Sequence, residues 1–251
     1  MKLLKKLVMY ICVALIVVLV CFTFSKTFAF KNNTKTDAPE ITTDLIQELY
    51  SYLPTKEIGN VQTLYNTYYL TINNISYITQ ALMAYNYIIT YDEFKLKTVT
   101  NEENINLNLK GNILYKITKE DFVNTINQLF GTTKNYYDTD LTINSKLKVK
   151  FINDNYYIYE EPTNNNIVYF KGLESYTVTD SRETIKLIEY YLRCDKETKL
   201  CYDKEGSDNP VSYIKYSDNL DVSSIKNHLK YYEHVFTYNK DHYIWKSTQS
   251  I

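Results

Sequence analysis

Apolar residues follow three successive rhythms along this chain. The first is a solid run bounded by Leu7 and Phe24, apolar but for Thr23, with Lys2, Lys5 and Lys6 before it and Lys26 and Lys31 after it. A helix rises about 1.5 Å per residue, so the run reaches roughly 27 Å, close to the thickness of a bilayer's hydrocarbon core. The second rhythm has a period near 3.6. Thr43 is placed to cap a helix carrying Leu45, Ile46, Leu49, Tyr52 and Leu53 at helical spacing, stopped by Pro54. A second helix is expected from Asn74 or Ser76, with Ile78, Ala81, Leu82, Tyr85, Ile88 and Ile89 on one face. A third has both ends signed: Thr118 caps it, Asp121 takes its third position, Phe122, Ile126, Leu129 and Phe130 form the stripe, and Gly131 ends it.

Beyond Thr142 the period falls to two. Lys146 to Ile152 alternates lysine with Leu147, Val149 and Phe151, the pattern of a half-exposed strand. Further strands are expected over 156–159, 167–170, 174–178, 184–194, 200–203 and 211–214, and a short helix over 223–229. Short polar turns between them favour antiparallel pairing. The chain closes with a hairpin, 231–238 and 241–247, turning at Asn239-Lys240. There Thr237 should pair with His242. One face then carries His234, Phe236, Tyr238, Tyr243 and Trp245 and the other Val235, His242 and Ile244. The aromatic face is the expected core side, and His234 and His242 fall on opposite faces, unable to share a metal.

These rhythms predict an α+β protein with an N-terminal transmembrane helix, a helical segment and then a Tyr-rich antiparallel β-sheet. Residues 1–30 are the membrane anchor or signal peptide, 31–40 a linker, and 41–251 an extracytoplasmic α+β domain with a helical part over 43–131 and a sheet part over 147–247. Three leading lysines place the amino terminus in the cytoplasm and the rest outside, a single-pass topology. Two alternatives attach to the same run. One is a secretory signal cleaved near Ala29 after Thr27-Phe28, although the run is longer than a signal requires. The other is lipid attachment at Cys21, where the small residue usual before a lipidated cysteine is absent.

Charge narrows the partners. The first 31 residues hold five lysines and no acid, so of the chain's 28 basic and 29 acidic residues, 23 and 29 belong to the remainder. That part carries a net charge near −6, its only arginines are Arg182 and Arg193, and it lacks a basic stripe, which argues against nucleic acid. The 27 tyrosines suit half-buried strands and accord with AT-rich codon usage. Cys12 and Cys21 lie in the apolar run, whereas Cys194 and Cys201 end the segment Cys-Asp-Lys-Glu-Thr-Lys-Leu-Cys. A turn centred on Glu197 and Thr198 sets these two opposite each other, as a disulfide in an oxidising exterior requires.

Chemical motifs are sparse. Asp138-Thr139-Asp140-Leu141-Thr142 matches the Asp-x-Asp-x-Thr loop of haloacid-dehalogenase-like phosphatases, but no buried hydrophobic strand precedes it, and it reads as a solvated turn. Asp203, Glu205 and Asp208 around Gly206 lack EF-hand spacing. Glu160 and Glu161 are adjacent in a strand and point apart. The glycines are too dispersed to cradle a phosphate, and His228, His234 and His242 are the only imidazoles. No cofactor or metal is expected, and no catalytic or binding residue is assigned. The expectation is a non-enzymatic binding module at the cell surface. Its partners would be membrane lipid through the N-terminal helix, and an envelope component or another membrane protein. The alternative is a cell-envelope hydrolase whose site is assembled from dispersed residues.

Overall fold

Thr118 ends one strand and caps the helix that follows, and that junction links the sheet and helical parts of the fold. In the computed structural model the described residues are 38–54, 64–65, 69–107, 109, 112–131, 138, 140–142, 147–161, 166–204 and 207–251. Ala38–Ile251 cluster as one compact unit. The run from Leu7 to Phe24, with Cys12, Cys21 and Ala29, lies outside the described residues. Among those described, no helix is long and apolar enough to cross a membrane.

The helices are α1 (Thr43–Ser51), α2 (Tyr77–Thr90), α3 (Asn101–Leu107) and α4 (Lys119–Phe130). Helix α4 follows the sequence reading at both ends. The Thr118 hydroxyl accepts the Asp121 amide and donates to the Asp121 carboxylate, Phe122, Ile126, Leu129 and Phe130 are buried, and Gly131 takes a left-handed φ of 67°. A Cβ at Gly131 would also stand 2.8 Å from Cδ1 of Ile244. Gly131→Ala should therefore cost about 1 to 2 kcal/mol, read as a lower urea midpoint. Helix α1 is capped one residue earlier than expected, by Thr42. Helix α2 starts after Ser76 as expected, but all ten residues from Thr79 to Ile88 are buried while Ile78 is exposed. Helix α2 is thus enclosed nearly all round, and one apolar stripe does not describe it.

The largest correction concerns the sheet. Two antiparallel sheets form, and two of their strands come from the segment read as helical. One sheet runs β1 (Tyr69–Thr71), β10 (His242–Ser250), β9 (Lys230–Asn239), β7 (Thr184–Asp195) and β6 (Ile167–Val178), with β8 (Cys201–Tyr202) also pairing β7. The other runs β2 (Asn112–Thr118), β5 (Asn155–Glu160), β4 (Leu147–Ile152) and β3 (Leu141–Thr142). Strand β2 lacks a clean alternation, with Leu114 between Ile113 and Tyr115 and a register shift at that point, which explains why its pattern did not mark it as a strand.

Three further corrections are local. The strands expected over 167–170 and 174–178 are one strand, because Gly172 stays in register under the ring of Tyr190 and the irregularity falls between Leu173 and Ser175. Residues 211–214 form a turn and not a strand. In the closing hairpin Thr237 faces Ile244, and Asn239 faces His242, so the turn sits at Lys240-Asp241. This two-residue shift preserves parity. His234, Phe236, Tyr243 and Trp245 are buried, although Ile244, expected on the outer face, is buried as well.

Candidate functional site

Strand β7 alternates cleanly from Ile185, with Leu187, Glu189 and Tyr191 directed into the main core. Alternation thus puts a carboxylate where an apolar side chain is expected. Neighbouring strands supply its partners by register. On one side Lys171 of β6 lies opposite Tyr191; on the other Tyr232 of β9 lies opposite Glu189, with His234 two residues on and Thr248 of β10 opposite His234. An irregularity between Trp245 and Ser247 brings Thr248 to the side on which Trp245 also lies. Tyr50 of α1 and Tyr65 complete the cluster from outside the sheet.

The two carboxylate oxygens are fully engaged. Oε1 of Glu189 accepts Tyr50 Oη at 2.8 Å and stands 3.4 Å from Lys171 Nζ. Its Oε2 accepts Tyr65 Oη at 2.7 Å and meets His234 Nε2 at 3.2 Å. The Lys171 ammonium also donates to Tyr65 Oη at 2.6 Å and to the Pro54 carbonyl, and lies over the Tyr65 ring. On its other side His234 Nδ1 is 2.7 Å from Thr248 Oγ1, which accepts the Trp245 indole N–H at 3.2 Å. Tyr65 stacks on Tyr191, with ring centroids 4.4 Å apart, and accepts Tyr232 Oη at its carbonyl. Glu189, His234 and Thr248 have no solvent exposure.

Electrostatics fixes the protonation pattern. Burial alone would raise the Glu189 carboxyl, but Lys171, His234 and Tyr65 outweigh it and bring it to about 2. Burial pushes His234 below its ordinary 6.5, and Glu189 offsets this only in part. Burial and the adjacent carboxylate hold the Tyr65 and Tyr50 phenols well above their usual range. The consistent state is an ionised Glu189 beside the Lys171 ammonium, with a neutral imidazole donating from Nε2 and accepting the Thr248 hydroxyl at Nδ1.

Thr248, His234 and Glu189 together have the residue types of a nucleophile, a base and an orienting carboxylate. Yet the hydroxyl is enclosed and its oxygen is taken by the Trp245 N–H. Lysine also neutralises the carboxylate. The geometry suits a structural clamp between strands, α1 and Tyr65. A contrast lies deeper in the core. Among the described residues the buried Tyr85 hydroxyl has no hydrogen-bond partner. Tyr85→Phe should accordingly raise stability by about 1 kcal/mol, measured by urea unfolding.

The residues singled out in the sequence are scattered. Asp138 pairs with Lys119 at 2.5 Å and Asp140 with Lys150 at 2.7 Å, while Thr139 lies outside the described residues. Glu205 and Gly206 also lie outside them. Among the described residues no group of three His, Cys, Asp or Glu side chains is arranged to hold a metal. His228 sits in a 3-10 turn with its ring against exposed Tyr213, and His242 Nδ1 meets Asp241 at 2.5 Å. Glu160 ends β5. Cys194 and Cys201 lie directly opposite in β7 and β8 at disulfide distance, with Cα atoms 4.0 Å apart. No protein-family model, no curated protein and no solved structure matches the chain.

Proposed function

We propose that this chain is a non-enzymatic binding module, tethered by one N-terminal helix and displayed outside a membrane, where it engages an envelope component or another membrane protein. The observation that carries the reading is the enclosure of Thr248, His234 and Glu189. Among the described residues, this constellation of catalytic residue types is spent on holding the fold together. The tether rests on the length of the apolar run and the lysines ahead of it. Large apolar side chains stand exposed at Phe94, Ile105 and Tyr213, offering contact area without chemistry.

Crosslinking in intact cells, with photoreactive residues at those three positions, tests the reading. Recovery of one specific envelope partner is the expected result. Recovery of chance neighbours alone, together with hydrolysis of wall fragments by the purified chain that Thr248→Ala abolishes, would replace it with the hydrolase. The topology has its own check: protease added to whole cells should digest residues 38–251 while the six leading residues stay protected.

A further inference from the structure

We infer that the His234 cluster makes the docking of α1 on the sheet sensitive to acid, so that one proton taken up at His234 favours a form in which α1 has separated from the strands. The hydrogen-bond pattern makes the imidazole intolerant of a second proton. Its Nδ1 accepts the Thr248 hydroxyl, whose oxygen already accepts the Trp245 N–H. A proton on Nδ1 forces that hydroxyl to rotate, away from its only acceptor in this pattern, inside a region closed to water.

Charge adds a second reason. The groups facing His234 are Lys171 from β6, Glu189 from β7, Tyr50 from α1, Tyr65, and Tyr232 and Glu233 from its own strand. Glu233 is engaged with Lys186 and Gln249. A charged imidazole would therefore share the Glu189 carboxylate with the Lys171 ammonium, setting two cations against one anion among the groups that face it.

Water reaches His234 most cheaply by moving what no ladder holds. Strands β6, β7, β9 and β10 are joined by backbone pairing on both sides of the irregularities at 173–175 and 245–247. Helix α1 is attached by side chains: Tyr50 to Glu189, Tyr52 to the Tyr243 carbonyl at 3.5 Å, and Asn86 to the Ser51 and Leu53 carbonyls, both at 2.6 Å. Local opening follows such seams. Below about 6.5 the open form takes up a proton at His234 that burial keeps off the closed form. Opening therefore grows as pH falls below about 6.5, by at most about tenfold per pH unit, until the depressed value in the closed form is reached.

Amide hydrogen exchange on the full-length chain tests this at about pH 7.5 and about pH 5, corrected for intrinsic rates. The protection of α1 should fall severalfold while β7 and β9 keep theirs. In His234→Gln, whose amide can donate to Glu189 and accept from Thr248 but cannot be protonated, α1 should not respond. Protection of α1 that is unchanged by acid, lost equally in H234Q, or lost in step with β7 and β9 would overturn the inference. Should H234Q not fold, the first and third outcomes still decide from the unmutated chain.

Discussion

Glu189→Gln should cost about 3 to 5 kcal/mol of folding stability, read from the urea midpoint. The glutamine keeps the shape and some hydrogen bonding, but it removes the carboxylate that stands 3.4 Å from the buried Lys171 ammonium, whose side chain is 2% exposed. The effect is a property of the pair. Adding Lys171→Met to E189Q should recover part of the loss, because it removes the buried ammonium that a glutamine cannot neutralise while the amide still accepts a neighbouring hydroxyl. A double-mutant cycle would therefore show a coupling well above 1 kcal/mol. Acid should act in the same direction. The unfolded carboxyl protonates near 4.5 and the folded one near 2. The contribution of Glu189 is complete above 4.5 and fades between those values. Equal urea midpoints for the unmutated chain and E189Q would show that the cluster is not a stabilising clamp.

That cluster was only partly legible in the sequence. His234 fell on the aromatic face by parity, and there it is. The same parity in the segment Ile185, Leu187, Glu189, Tyr191 put an acid among core residues, a signal of a buried charge. Lys171 beside Tyr169 and Leu173 carried the matching sign. Nothing local joined them, because Tyr50, Tyr65, Lys171, Glu189, His234 and Thr248 come from six stretches of chain. The irregularity between Trp245 and Ser247 that turns Thr248 inward depends on cross-strand register.

Local signals explain which elements were readable. Helix α4 carries its own start and stop, Thr118 with Asp121 and Gly131, and its bounds follow from short-range hydrogen bonds. Strands β1 and β2 carry no such marks: β1 is three residues long, and its strand character comes from pairing with β10 at the far end of the chain. The division into two sheets likewise depends on β2 joining β5 and on β7 lying between β6 and β9. Gly172 shows the same dependence in reverse. Read alone it breaks a strand, and the Tyr190 ring from the neighbouring strand removes the reason to break.

Replacing both Cys194 and Cys201 by alanine should cost about 2 to 3 kcal/mol, and the loss should be local. The two residues close a short loop, which in chain-entropy terms gives about 2.5 kcal/mol. What they hold explains the locality. The even-numbered residues of β7 face the opposite side, where Leu192 and Cys194 form a second core with Cys201, Ile214, Tyr216 and Leu229, against which Tyr190 also packs. Strand β8 has two residues, and the segment beyond it is secured by few backbone bonds, including Val211 N to Cys201 O at 2.8 Å and Tyr216 N to Lys199 O at 3.0 Å. Without the crosslink, exchange and proteolysis should rise across 196–229 while the strands around Glu189 keep their protection. Alkylation of the denatured, unreduced chain should leave both thiols unlabelled. Labelling of either one, or a double alanine variant with undiminished stability, would place this second core on its apolar contacts alone.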